Sequence, residues 1–398
     1  MSSRIETFDA PCRAVTRGPA HHFFGYYDKC PWDATGRFML ALEVSFIDRM
    51  PRAEDAVTVG LVDLLNGGSF TPLDETTAWC WQQGTMLQWL PDGRILYNAR
   101  EGGRFVARIR DVGRGTARTL PRAIYAVSPD GRHGLSLNFA RLNRTRPGYG
   151  YEGVPDATAG DPAPAGDGIW LVDLESGRER LLFSHAQSLQ VRPRADFAGA
   201  EHWFNHLTFA PGGRRYVGLH RWWKPEGLEI GGKRFRHVTR LFTQDRDGGE
   251  VHLLNDDEMT SHYAWRDAEH LLAWARRHGR GDHYYVFRDG SAEAEILGAD
   301  VLTADGHCTY SPDGKWILTD TYPDRNDRKR TLILYRLRDG VRFDIGRFFA
   351  PPDLDGEKRC DLHPRFSRDG TEICIDSAHE GARQMYVVDV RELVGREG

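Results

Sequence analysis

Four histidines in this chain stand in the same local setting, each three residues before an aromatic. The phrases are His206-Leu-Thr-Phe209, His262-Tyr-Ala-Trp265, His307-Cys-Thr-Tyr310 and His363-Pro-Arg-Phe366, and three of the four run on into a turn containing Gly. If the phrase marks one structural unit, the four imidazoles occupy equivalent points and converge. Two of the units also carry a cysteine: Cys308 follows His307, and Cys360 lies three residues before His363. Neutral imidazole and thiolate are good ligands for zinc and related divalent ions, and ligands drawn from separate units can complete a tetrahedron. The expected set is His262, His307, Cys360 and His363, with Cys308 as the substitute if Cys360 turns into the core. Zinc is the first choice of ion, with manganese or calcium as alternatives. The competing reading is a ring of histidines that only form hydrogen bonds with one another and the backbone.

Other polar groups recur beside aromatics. Tyr125 heads the third inner strand, Arg141 closes Ser136-Leu-Asn-Phe-Ala-Arg141, and His220-Arg221-Trp222-Trp223 follows the fourth unit. His21-His22-Phe-Phe-Gly-Tyr-Tyr27 precedes the first turn, and Trp79-Cys-Trp-Gln82-Gln83 the second. Rings that stack on sugars, next to arginines that clamp a carboxylate, fit a carbohydrate site. For any single tryptophan, packing between repeated units is the competing explanation.

The elements that must position these groups follow from the repeat. Trp32-Asp-Ala-Thr-Gly36, Trp89-Leu-Pro-Asp-Gly93, Val127-Ser-Pro-Asp-Gly131, Phe209-Ala-Pro-Gly-Gly213, Trp265-Arg-Asp267, Tyr310-Ser-Pro-Asp-Gly314 and Phe366-Ser-Arg-Asp-Gly370 are seven copies of one aromatic-plus-turn phrase. Short strand-like runs follow each, and Pro-Asp-Gly supplies the conformations that tight hairpins need. Units of roughly forty to sixty residues with about four short strands each predict an all-β, seven-bladed β-propeller spanning residues 1–398 as a single domain. The last unit ends after three strands, so residues around Ile5 to Val15 are expected to supply its outer strand and close the ring. In such a fold the innermost strands line a central channel, and histidines heading four of them ring one mouth. One connection, 141–167, is much longer than the rest. Its first half, rich in arginine and tyrosine, reads as a binding loop; its Gly/Ala/Pro/Asp-rich second half reads as a flexible spacer.

Composition bounds the rest. The 398 residues, 40% hydrophobic, can bury a large core, and a formal charge of −4 without a basic run gives no argument for nucleic acid. No apolar stretch is long enough for a membrane span, and Met1–Arg17 lacks the apolar region of a secretory signal. Six scattered cysteines suit a reducing compartment, so a cytoplasmic location is expected.

At this point the residues resemble a family. The blade phrases, Trp81-Gln-Gln-Gly84, His202-Trp-Phe-Asn-His206 and Cys360-Asp-Leu-His363 are similar to the seven-bladed propeller polysaccharide lyases, the group that includes oligogalacturonate lyases and propeller ulvan lyases. The resemblance implies metal ligands in the late stretch, with a glutamine in oligogalacturonate lyases where this chain has Cys360. It also implies a tyrosine base followed by a carboxylate-neutralising arginine, at a spacing close to that from Tyr125 to Arg141. At Gln82-Gln83 this sequence departs from those ulvan lyases expected to carry a histidine. The implied chemistry is β-elimination on a uronate glycan. The proton α to the carboxylate becomes removable once the carboxylate charge is neutralised, after which a base takes it and an acid protonates the departing oxygen. The expected roles are Tyr125 as base and acid, Arg141 and His206 as neutralisers, and His22, Tyr149 and Arg221 shaping the site for an acidic oligosaccharide. Two rival classes are a non-catalytic binding or interaction scaffold and a glycoside hydrolase. The hydrolase would need paired carboxylates, and Asp28, Glu152 and Glu201 are the available acids.

Overall fold

The computed structural model describes residues 4–395. Seven antiparallel sheets follow one another around a ring. The inner strands are, in order, His21–Phe23, Gln88–Trp89, Ala126–Val127, Glu201–Phe209, Thr260–Trp265, Thr309–Tyr310 and Arg365–Phe366, and each begins one blade. Five sheets are four strands built entirely from consecutive segments. The last two borrow from the N-terminus: Cys12–Ala14 adds to Gln384–Asp389 as the outer strand of the seventh blade, and Ile5–Thr7 runs parallel to Val341–Phe349 as a fifth strand of the sixth. The N-terminal segment therefore serves two blades rather than one.

The Ser-Pro-Asp-Gly phrase builds the same turn each time. Ser128, Ser311 and Ser367 each donate from Oγ to the Asp two residues on, at 2.5–2.6 Å, and each Oγ accepts the backbone N–H of the residue five positions later, at 3.0 Å. The glycine closing each turn has φ between 70° and 76°, a left-handed value that only glycine adopts freely. These turns fix where each inner strand stops, and so fix the height at which the residues before it meet the channel.

Apolar side chains from adjacent blades fill the wedges between them. The seam between the seventh and first blades also carries polar contacts. Asp376 accepts the backbone N–H groups of Phe24 and Gly25, and pairs with Arg365, which in turn donates to the carbonyls of Gly25 and Tyr26. His22 lies in the same seam, bonded through Nδ1 to Gln384 at 3.0 Å and through Nε2 to Glu43 at 2.9 Å.

Two insertions rise from the ring. A hairpin, Leu228–Ile230 with Lys233–Phe235, grows from the fourth blade. The long connection begins with a helix, Phe139–Thr145, capped by the Asn138 side chain. Its Gly/Ala/Pro-rich part is fixed rather than free: Arg141 reaches from the helix to the carbonyls of Thr158, Asp161, Pro162 and His202, at 2.7–3.3 Å. No helix among the described residues is long and apolar enough to cross a membrane.

Candidate active site

The four histidines do converge. Ring centroids of successive blades are 6.4 Å apart from His206 to His262, 4.2 Å from His262 to His307 and 4.4 Å from His307 to His363. Tyr26, from the first blade, closes the circle. It stacks on His206 at 4.9 Å, with its hydroxyl 3.1 Å from Nε2, and meets His363 edge-on at 4.9 Å. The local backbone is adapted to this. His206 and His262 each lie on a β-bulge, and His206 and His363 have left-handed φ values of 53° and 42°. Such conformations cost roughly 1–3 kcal/mol each in non-glycine residues and concentrate where a side chain must be aimed against the regular pleat.

Three of the circle's neighbours form a ligand set. One ligand atom each from His307, Asp361 and His363 lie within 4.8 Å of one another, and all three side chains are buried. His307 Nδ1 is 2.9 Å from Asp320, and His262 Nδ1 is 2.9 Å from Asp305. A neutral imidazole that donates from Nδ1 carries its lone pair on Nε2, the arrangement by which carboxylates orient metal-binding histidines. His363 Nε2 is buried with no hydrogen-bond partner. Burial, then the neighbouring His307, hold the His363 pKa well below the ordinary value, which keeps that lone pair available. Asp361 accepts from Arg359 at 2.7 Å and Arg330 at 2.8 Å. Burial raises its pKa, but Arg359 and Arg330 outweigh that and hold the carboxyl well below its usual range. Two imidazoles, one assured carboxylate and an orphaned buried nitrogen fit a divalent cation of the manganese or zinc type.

Neither cysteine joins this set. Cys360 is buried with Leu354 and Ala378, and Cys308 lies in the apolar cluster of Leu272, Tyr284 and Ile317. Burial raises both thiol pKa values, well above the ordinary value for Cys308. The residue after Cys360, pointing the other way, takes the place expected of it.

Above the histidines opens a cavity of about 650 Å³, lined by His206, His262, Tyr149, Arg146, Arg221 and Tyr322, with the fourth-blade hairpin at its outer wall. Its acids are committed: Asp305 to His262, and Glu258 to Arg194 and His278. The arginines therefore dominate the local field, which suits an anionic ligand. Arg221 is buried, its Nε bonded to Thr239 at 3.2 Å, and burial followed by the adjacent Arg146 lowers its pKa to about 10. Tyr149 carries Arg146 over its ring at 4.9 Å and receives a hydrogen bond from Arg359 Nη2 on its hydroxyl at 3.2 Å.

The residues expected from sequence thus separate. His206, His262, Tyr149 and Arg221 line the cavity, with His307 and His363 beside it. Tyr125 stands behind His206, buried, and its hydroxyl oxygen accepts from Gln83 at 2.6 Å and from the His206 backbone N–H at 3.1 Å. It supports the circle from below and does not line the cavity. Arg141 is committed to the long connection, and His22 to the seam. His206 itself is held neutral by burial and by Arg221, so it presents a dipole and no cation. Sequence reasoning missed Tyr26, Asp361, Arg146, Arg359 and Tyr322. Asp361 carried a readable signal, since Asp-x-His in extended chain places both side chains on one face. Arg146 lay inside the segment already marked as a binding loop.

No protein-family model and no curated protein sequence matches the chain. Solved structures do match. An oligogalacturonate lyase from Vibrio parahaemolyticus is 15% identical, with 98% of this chain and 97% of that one aligned and a TM-score of 0.66. An oligogalacturonate lyase in complex with manganese is 16% identical over the same shares, with a TM-score of 0.69. The β-propeller domain of the Trilobed protease from Pyrococcus furiosus is 13% identical over 93% of this chain and 95% of that one, with a TM-score of 0.54. The chain is a seven-bladed β-propeller, similar over nearly its whole length to the fold of two oligogalacturonate lyase structures.

Proposed function

We propose that the protein is a lyase that cleaves short uronate-containing oligosaccharides by β-elimination, with a divalent ion held by His307, Asp361 and His363. The observation that carries this reading is a cavity lined by Arg221, by Arg146, which Glu357 pairs at 3.2 Å, and by Tyr149, held by a third arginine, with a divalent-ion ligand set beside it. Arg146 and Arg221 bind the uronate carboxylate and offset the charge that builds on it as the α-proton leaves. His307, Asp361 and His363 would hold a divalent ion, which when bound would supply Lewis-acid stabilisation of that same charge. Tyr149 takes the part first expected of Tyr125: as the phenolate, its charge balanced by Arg359, it takes the α-proton, and as the phenol it gives that proton to the departing glycosidic oxygen. His206, neutral and braced by Tyr26 and Tyr125, orients the sugar through a hydrogen bond. The similar fold of the two oligogalacturonate lyases supports galacturonate as the first substrate to try, and a cytoplasmic location would suit imported oligomers.

The test is an ultraviolet assay for the unsaturated product, run on di- to tetrasaccharides of several uronates with wild-type protein, a chelated sample and Tyr149→Phe. Absorbance should rise on at least one substrate, fall on chelation, and fall at least a hundredfold in Tyr149→Phe, a typical value for a lost acid–base group. No absorbance change on any uronate would refute the lyase reading and favour a binding scaffold. A saturated reducing-end product would indicate a hydrolase.

A further inference from the structure

Beside the main cavity, and sharing Arg146 and His237 with it, lies a second cleft of about 180 Å³. Its walls include Trp203, Trp223, Arg144 and Arg236. Three N–H donors here, Trp203 Nε1, Trp223 Nε1 and Arg146 Nε, are buried with no hydrogen-bond partner. Burying a donor unpaired is costly, and a native fold rarely leaves three together without a reason. No carboxylate lines the cleft to accept from them. Arg144 is engaged by Asp156 and Glu201, but Arg236 has no ion pair or hydrogen bond among the described residues and stands exposed. Indole rings, orphaned donors and an uncommitted guanidinium call for a ligand that offers an apolar C–H face, many acceptors and a negative charge.

We infer that this cleft is an outer subsite that binds a further uronate residue of the same oligosaccharide, its carboxylate on Arg236 and its hydroxyl oxygens facing the two indole N–H groups. The inference rests on the proposed lyase reading for its substrate class, and it adds a chain-length preference. A disaccharide fills only the main cavity, whereas a trisaccharide also reaches the tryptophans.

The experiment uses di- and trigalacturonate with the full chain, reading both cleavage and the quenching of tryptophan fluorescence, with maltotriose as the neutral control. Arg236→Ala should raise KM for trigalacturonate about tenfold, the worth of one charge-assisted contact, and leave digalacturonate within about twofold. Trp223→Phe should reduce the quench by trigalacturonate, leaving the part that Trp203 reports, while the fold, read by circular dichroism, is retained. If no cleavage occurs but trigalacturonate still binds in an Arg236-dependent way, the lyase reading fails and the subsite stands. Equal effects of Arg236→Ala on both lengths, equal binding of maltotriose, or no binding of trigalacturonate would each overturn the subsite.

Discussion

Lowering the pH should loosen this propeller at a definable place. His202, at the start of the fourth inner strand, is wholly buried and bonds His220 through Nδ1 at 2.9 Å. Burial, reinforced by Arg141 and Arg240 against the opposing Phe197 carbonyl and Asp196, lowers its pKa from 6.5 to about 4. The folded state therefore holds this imidazole neutral while the unfolded chain takes up a proton from about pH 6.5 downward. Stability is unaffected above that value, falls as the pH drops through the window, and has lost this contribution fully below about 4. The gap is worth about 3 kcal/mol. His220, buried among His202, His185 and Arg240, shifts in the same direction, so His202 sets a lower bound on the loss. The assay is urea unfolding at half-unit steps from pH 7.5 to 4, comparing wild type with His202→Gln, which keeps a hydrogen-bonding group but cannot titrate. The variant should lie within about 1 kcal/mol of wild type at pH 7.5, and its curve should fall by about 3 kcal/mol less on acidification. Parallel curves would refute the reasoning. The His202 backbone also holds the long connection, its carbonyl accepting from Arg141 at 2.7 Å and its N–H donating to Pro162 at 3.0 Å, so repulsion between the protonated ring and Arg141 should loosen that segment before the ring of blades opens.

Asp361→Asn should weaken binding of Mn²⁺ or Zn²⁺ at least tenfold by calorimetry, and should destabilise the protein by about 3–5 kcal/mol in urea, because Arg330 would remain as a buried charge without its carboxylate, whereas Arg359 keeps Glu357. Arg141→Met should sensitise residues 153–166 to limited proteolysis, since four carbonyls lose their shared donor, while blades far from the fourth stay protected. Gly25→Ala should cost about 1–3 kcal/mol, as Gly25 has φ of 135° and a Cβ there would stand 3.0 Å from the Gln83 carbonyl; catalysis should fall with it, because Tyr26 is the next residue.

The repeat made the architecture legible. A large apolar residue followed by a turn phrase, Ser-Pro-Asp-Gly in its fullest form, encodes local structure, so seven variants of it announce seven blades before any long-range contact is known. The convergence of His206, His262, His307 and His363 was legible for the same reason, because equivalent positions in a closed ring face the same axis. What the repeat cannot encode is the facing of residues outside it. Cys360 and Asp361 are neighbours, and a single step along extended chain decides which of them meets His363. Arg141 and Arg146 are five apart in a segment that read as a loop; the Asn138-capped helix turns the first toward the backbone of His202 and leaves the second at the cavity wall. Tyr125 was placed beneath His206 and not beside the ligand because Gln83, from another blade, claims its hydroxyl. Each of these outcomes depends on a partner distant in sequence.

The seam where the ring closes has a consequence of its own. Arg365 and Asp376 of the seventh blade grip the backbone of Phe24, Gly25 and Tyr26 in the first, and Tyr26 is the ring that His206 and His363 lean on. The latch that turns a strip of blades into a circle is therefore also the floor of the chamber. Such a molecule has an interlock: a chain whose ends have not met has no histidine circle, and one whose latch slips disturbs that circle before it loses its shape.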